Sequence, residues 1–514
     1  MGKRLFKASL IVSSMTLISR LLGFVRDMLI ARFFGVDLST DAFFVAFKIP
    51  NLLRRLFTEG AFAHALVPAM SKHQDDKPAL RQFISKTAGT LAAWAFLITL
   101  VAMILAPLLV LILAPGFAWQ GAQYDLAVTT TRIMLPFGFC IVLVSFAGAA
   151  LNVKERYAIP ALTPVLLNVC MITAALWLAP LMDVPIMAIA WGVFSAGVVQ
   201  ILFQLPSLLR LGLLPKLTVR FKDPDVSLVL KKLLPAIFSA SATQISVLFD
   251  TLFASFLVSG SVSWLYYSDR LVEFPLSILG LGLGTVILPN LTNNHTAGNT
   301  VAFSATLDWG LRLVILTGMP ATIGLFVLAE PILSTLFQYD KFTVEDVYKA
   351  GQSLRAYSVG LLAYLFIKIL MPAFTSRLDL KTPVRYGMLA MMVGLLFNFL
   401  AIPLAHAGLA LATSLGALLN AVLLFKKLLK DGVYQPLNGW QLFLLRVILA
   451  SAVMTACLYH FVDNGWWNQW DSGDRVINLA KWISIGCVVY ALTLAFTGLR
   501  LRHLAGTSDK IASF

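Results

Sequence analysis

Charge is scarce in this sequence. Only 13% of its 514 residues are Asp, Glu, Lys or Arg, against about 25% in a soluble globular domain. With 59% hydrophobic residues, such a chain reads as an integral membrane protein with many spans. Cysteine is scarce as well. Cys140, Cys170, Cys457 and Cys487 each lie in an apolar run and make no CxxC pair, which argues against a disulfide or zinc framework. The six histidines, His64, His73, His295, His406, His460 and His503, are dispersed along the chain without metal-ligand spacing. Gly280, Gly282 and Gly284 are spaced by two and follow no strand, so they do not make a phosphate loop. Lys3, Arg4 and Lys7 precede an apolar run, but no small-residue cleavage pattern follows, and the first segment is expected to be retained.

What the chain does contain is apolar windows of roughly 20 residues. They fall near 9–31, 41–70, 87–113, 126–150, 161–179, 185–209, 231–257, 264–291, 308–330, 351–373, 384–403, 407–429, 442–462 and 480–499. The fold class expected is an all-α polytopic membrane protein with about fourteen transmembrane helices. The first two windows and the eighth are the least apolar, since they carry charges and glycines. The net charge of +15 does not form one soluble patch of the kind that binds nucleic acid. Instead, 24 basic residues fall in alternate connections and at both termini, and only Arg32, Lys341, Lys349 and Arg475 fall in the opposite set. By the positive-inside rule both termini are expected in the cytoplasm, which requires an even number of spans. Trp466, Trp467 and Trp470 mark an exterior loop at the membrane interface.

The chain also repeats itself. Ala31-Arg32-Phe33-Phe34 and Ala254-Ser255-Phe256-Leu257 lie 223 residues apart, as do Arg132 and Arg355, and Pro160 and Pro383. Two parallel six-helix repeats followed by two C-terminal helices are expected. The corresponding domains are 1–209, a cytoplasmic link at 210–230, a second lobe at 231–430, and the additional helices with a tail at 431–514.

The scarce charges concentrate where lipid should forbid them. Arg20, Arg26, Asp27 and Arg32 lie in or at the end of the first window, and Asp41, Lys48, Arg54, Arg55 and Glu59 in the second. Intramembrane charges usually face a bundle interior or a water-filled cavity. These two segments are therefore expected to line the working cavity of a transport protein, with a net positive interior. Arg55 and Glu59 can pair at i,i+4, Arg270 and Glu273 at i,i+3, and Asp308 and Arg312 at i,i+4. A guanidinium stays protonated when partly desolvated and offers a planar fork of donors to phosphate oxygens, so an anionic diphosphate headgroup is a suitable cargo. The competing reading is that these charges only pair with Asp27, Asp41, Glu59 and Glu273 to hold helices together. An enzyme acting on a lipid-linked sugar would need a catalytic acid or base and substantial outward loops, and those loops are short. A small-cation exporter is disfavoured by the positive cavity, and a noncatalytic scaffold is a further alternative.

The stretches Ser19-Arg20-Leu21-Leu22-Gly23-Phe24-Val25-Arg26-Asp27, Thr40-Asp41-Ala42-Phe43-Phe44 through Asn51-Leu52-Leu53-Arg54-Arg55, Tyr267-Ser268-Asp269-Arg270-Leu271-Val272-Glu273-Phe274-Pro275 and Ser376-Arg377-Leu378-Asp379-Leu380-Lys381-Thr382-Pro383 closely resemble the MurJ/MviN family of lipid II flippases. The resemblance covers essentially the whole chain. It implies the multidrug/oligosaccharidyl-lipid/polysaccharide exporter fold and the movement of undecaprenyl-diphosphate-linked peptidoglycan precursor, lipid II, across a bacterial inner membrane. It implies that Arg20, Arg26, Asp41, Arg54, Arg55, Arg270 and Glu273 bind substrate, that the last two helices form a groove for the lipid tail, and that no organic cofactor is used. By the same analogy a monovalent ion is a candidate for coupling, with Asp250 and Asn398 the nearest polar groups for sodium. Partners implied are lipid II, membrane lipids and cell-wall synthesis proteins.

Overall fold

The computed structural model describes residues 2–57, 62–73, 75–216, 218–221, 223–462, 467 and 469–499. Among these residues the regular structure is entirely helical. In chain order the helices are α1 (Gly2–Phe34), α2 (Leu38–Leu56), α3 (Phe62–Ser71), α4 (Lys77–Ile104), α5 (Ala106–Leu113), α6 (Gly121–Met134), α7 (Pro136–Val153), α8 (Ala158–Thr173), α9 (Met187–Leu211) and α10 (Pro224–Ala254). They continue as α11 (Ser261–Thr296), α12 (Thr300–Val327), α13 (Ala329–Phe337), α14 (Val344–Thr375), α15 (Lys381–Leu400), α16 (Ala405–Lys430), α17 (Trp440–Phe461) and α18 (Ser472–Phe496).

Local chemistry sets many of the boundaries. Asp37, Asp76 and Asn299 each accept a hydrogen bond from a backbone N–H three residues on, capping α2, α4 and α12. Thr343 and Asp346 form a reciprocal capping box at the start of α14. The break between α4 and α5 follows from Pro107, which lacks the N–H that would bond the Met103 carbonyl. Arg132 supplies a substitute donor, its Nε lying 3.3 Å from that oxygen.

Among the described residues ten helical stretches are long and apolar enough to cross a membrane, and apolar side chains such as Phe96, Ile98 and Ile104 on α4 and Leu396 and Phe399 on α15 face outward. Together these make the chain an all-α polytopic membrane protein. The four other expected spans coincide with α1, with α2 and α3, with α10 and with α11, the elements that carry the intramembrane charges and glycines. Fourteen crossings are compatible with this set. The glycines at 280, 282 and 284 do not interrupt α11, which runs as one helix of 36 residues.

The duplication is visible in the helix boundaries. The starts of α2 and α11, α4 and α12, α5 and α13, α6 and α14, and α8 and α15 are each 223 residues apart. Even the break at Leu105 recurs at Leu328, with nearly the same backbone angles. By contacts the chain forms two compact units, Met1–Ser263 and Trp264–Phe514. Within the first, α1 packs on α8, α2 on α6, and α7 and α8 on α9, while α10 lies against α2, α3, α4 and α5. Within the second, α14 packs on α12 and α16, α15 on α16, and α17 on α12 and α18.

The connection between α9 and α10 is strapped along α4. Lys216 N donates to Ser85 Oγ at 3.1 Å and Arg220 N to Thr90 Oγ1 at 3.0 Å. Lys86 Nζ sits 2.9 Å from Asp223, and its hydrogen bond holds that carboxyl below its ordinary pKa. Gly89 makes the close approach possible, since a Cβ there would stand 2.5 Å from the Thr218 carbonyl oxygen.

Candidate functional site

In the first unit the charged residues divide by environment. Arg20 on α1 is exposed and makes no hydrogen bond or ion pair with another described residue. Six positions along the same helix, Arg26 is 5% exposed and Asp27 1%. Arg26 directs Nε and Nη2 onto one oxygen of Asp27, at 3.0 and 2.7 Å. Its Nη1 donates to Asn168 Oδ1 on α8 at 3.0 Å, and its guanidinium lies 5.7 Å from the centroid of the Phe47 ring on α2. A buried guanidinium is tolerable on these terms, because its charge is matched and several of its donors are used.

Asn168 is a residue that charge counting passes over. Its Nδ2 donates to the Ser19 carbonyl on α1 at 2.9 Å, so the amide clamps the arginine with one end and the arginine's own helix with the other. Gly23 faces this amide, and a Cβ there would meet Asn168 Nδ2 at 3.5 Å, an ordinary van der Waals contact. The only signal in sequence was one amide within an otherwise apolar window.

Asp41, in the first turn of α2, is buried and spends both oxygens on the start of α11. Gly260 N donates to Oδ2 at 2.7 Å, and Ser263 donates to Oδ1 through N at 2.9 Å and Oγ at 2.5 Å. A carboxylate at a helix N-terminus satisfies orphan N–H groups and the helix dipole together. Asp41 therefore serves as a cap for α11 rather than as an ion-pair partner of the arginines.

Further along α2, Arg54 and Arg55 are half-buried. Arg54 Nη2 donates to Asn51 Oδ1 at 3.1 Å. The expected partner of Arg55, Glu59, lies outside the described residues.

In the second unit Arg270 and Glu273 pair as their spacing predicts, with Nη1 2.7 Å from Oε2. Both are half-buried. Arg270 also donates to Tyr266 Oη at 3.3 Å and lies 5.2 Å from the centroid of the same ring. Asp308 and Arg312 form the other expected pair, at 2.7 Å and deeply buried. Asp250 belongs to the first unit and Asn398 to the second. Among the described residues no group of three or more His, Cys, Asp or Glu is placed to hold a metal ion.

These side chains offer cationic, planar hydrogen-bond donors at graded exposure along α1, α2, α11 and α12. Such groups can recognise a phosphate-bearing headgroup by charge and geometry.

Comparison with known proteins gives a consistent pattern. Residues 30–481 match the family described as lipid II flippase MurJ. The chain is 42% identical to a probable lipid II flippase MurJ of Haemophilus influenzae, over 95% of this chain and 99% of that protein. It is 40% identical to the lipid II flippase MurJ of Burkholderia cenocepacia, over 97% of this chain and 98% of that one. Among solved structures, a lipid II flippase MurJ in an inward closed conformation superposes with a TM-score of 0.81 at 23% identity, covering 95% of this chain and 98% of that one. An inward-facing multidrug resistance MATE family transporter of the MOP superfamily gives 0.62 at 15% identity, over 82% of this chain and 98% of that one. At these identities the structural matches speak to the fold.

Proposed function

This chain belongs to the lipid II flippase MurJ family, and on that premise we propose that it moves lipid II from the cytoplasmic to the outer face of a bacterial inner membrane by alternating access, for cell-wall synthesis. The observation that carries the reading is the family match along residues 30–481, which takes in all of α2, with Asp41, Arg54 and Arg55, and the Arg270–Glu273 pair. The protein is a transporter and not an enzyme: no bond is made or broken.

In this reading Arg20, Arg26, Arg54, Arg55 and Arg270 meet the diphosphate and sugar, with Glu273 completing the substrate-binding set and Asp41 serving it through the cap on α11. The polyprenyl chain stays in lipid while the headgroup crosses. Tight binding alone would trap the cargo, so the inward and outward states must hold it with different affinities. No organic cofactor is invoked, and a monovalent ion is the candidate for coupling. The distribution of Lys and Arg supports an orientation with both termini cytoplasmic. The 223-residue offset supports repeats at 1–209 and 231–430 joined by the link at 210–230. Cell-wall synthesis proteins are the partner class that this role implies.

The test is translocation of labelled lipid II in sealed vesicles containing the purified protein, with Arg26→Ala compared at matched folding and abundance. Movement by the wild type and its loss in the variant is the expected result. No movement by folded wild-type protein, under an imposed membrane potential and ion gradient, would overturn it.

A further inference from the structure

The two C-terminal helices stand outside the duplication, yet they are tied to α12 and α13 at three levels. At the end of α12 nearest the α16–α17 connection, Asp308 and Arg312 are buried together, and the connection wraps them. Asp308 Oδ1 accepts from Tyr434 Oη at 2.7 Å, Trp440 Nε1 at 2.7 Å and Leu437 N at 3.2 Å. Arg312 Nη2 donates to the Asn438 carbonyl at 3.0 Å, and its guanidinium lies 5.0 Å from the centroid of the Trp440 ring. One turn earlier, Ser304 Oγ exchanges hydrogen bonds with both N and O of Gln435.

Midway along, Tyr490 on α18 donates to the Leu316 carbonyl at 2.8 Å. At the far end Arg475, in the first turn of α18 and buried, donates to the Gln338 carbonyl just past the C-terminus of α13 at 3.1 Å. It thereby satisfies an acceptor where a helix dipole favours a cation. Residues 304, 308, 312 and 316 are spaced by four, so one face of α12 carries the first two levels.

The arrangement has a counterpart in the first repeat. Ser85 and Gly89 on α4 precede Asp308 and Arg312 by 223 residues, and they receive the α9–α10 connection. Each repeat therefore straps its exit segment along the same helix. The first does so with hydroxyls, a glycine and the Lys86–Asp223 pair that reaches from helix to segment, the second with a buried ion pair within the helix that hydrogen-bonds the segment through both members.

We propose that Asp308 and Arg312, with Arg475 at the opposite end, fasten α17 and α18 to α12 and α13 as one rigid body, which moves as a unit through the transport cycle. Removing one partner of a buried, hydrogen-bonded charge pair leaves the other uncompensated, so the strap is a cooperative lock rather than a set of independent contacts. The proposal rests on the lipid II reading only for the molecule used to drive the cycle.

The experiment is pulsed electron spin resonance on the full chain in lipid, with the four native cysteines replaced. One spin-label pair is Phe326→Cys on α12 with Leu445→Cys on α17. A second is Phe96→Cys with Leu396→Cys, one in each compact unit. The first pair is expected to give a single distance that lipid II leaves unchanged, and to broaden or split when Asp308→Asn is added. A shift of the first pair on adding lipid II, or an unbroadened distance in Asp308→Asn, overturns the proposal. Where Asp308→Asn does not fold, Tyr434→Phe removes a single donor and is held to the same criterion. If the second pair does not respond to lipid II, the transport reading fails, and the lock is still decided by the variant's broadening.

Discussion

Arg20 and Arg26 are the same residue type on one helix, and their surroundings make them different groups. Arg26 is enclosed by Asp27, Asn168 and the Phe47 ring, while Arg20 is exposed. The enclosure predicts that Asn168→Leu, a change of similar size, leaves an Arg26 donor and the Ser19 carbonyl without that partner. The expected cost is about 1–3 kcal/mol of stability, read as a lowered unfolding temperature in detergent, with slower lipid II transport at matched abundance. An unchanged unfolding temperature and transport rate would mean that Asn168 does not hold Arg26. The charges themselves were legible in sequence, because an arginine in an apolar window stands out against the cost of burying it. Asn168 was not, because an uncharged amide leaves little trace until α8 is packed on α1. Asp41 was legible as important, but its use as a cap for α11 depends on a residue 219 positions away, which no local pattern reports.

At the scale of elements, the helices are largely the product of local rules, and their attachments are not. The caps at Asp37, Asp76, Asn299 and Thr343 and the break at Pro107 can be read from a few neighbouring residues. The strap on α4 could not be foreseen, since the described residues of the connection between α9 and α10 have no regular structure and their partners are more than a hundred residues earlier. Gly89 is the sensitive point. Gly89→Val would drive a side chain into the Thr218 backbone, whose N and carbonyl oxygen would lie 2.6 and 2.5 Å from the new Cβ. Overpacking of this kind costs about 1–3 kcal/mol, and the connection should lift from α4. Faster proteolysis within 213–223 relative to the wild type is the expected signature. Equal cleavage rates would show that the strap accommodates the added bulk.

Taken whole, the molecule carries its topology in the distribution of 40 basic and 25 acidic residues. In a background without the native cysteines, a membrane-impermeant thiol reagent added to intact spheroplasts should label Lys341→Cys. It should leave Lys3→Cys unlabelled until the membrane is opened. Labelling of Lys3→Cys in sealed spheroplasts would reverse the orientation. Sequence by itself determined the membrane class, the helical architecture, the two repeats at a 223-residue offset and the family. The reason is that lipid penalises charge and unpaired backbone wherever they occur, so composition and period must record the spans. Only the tertiary structure decided which arginines are enclosed, that α10 packs with the helices of the first repeat, and that a buried ion pair grips the connection to the last two helices. Those outcomes depend on which helix faces meet across hundreds of residues, and helical periodicity specifies a face without naming its neighbour.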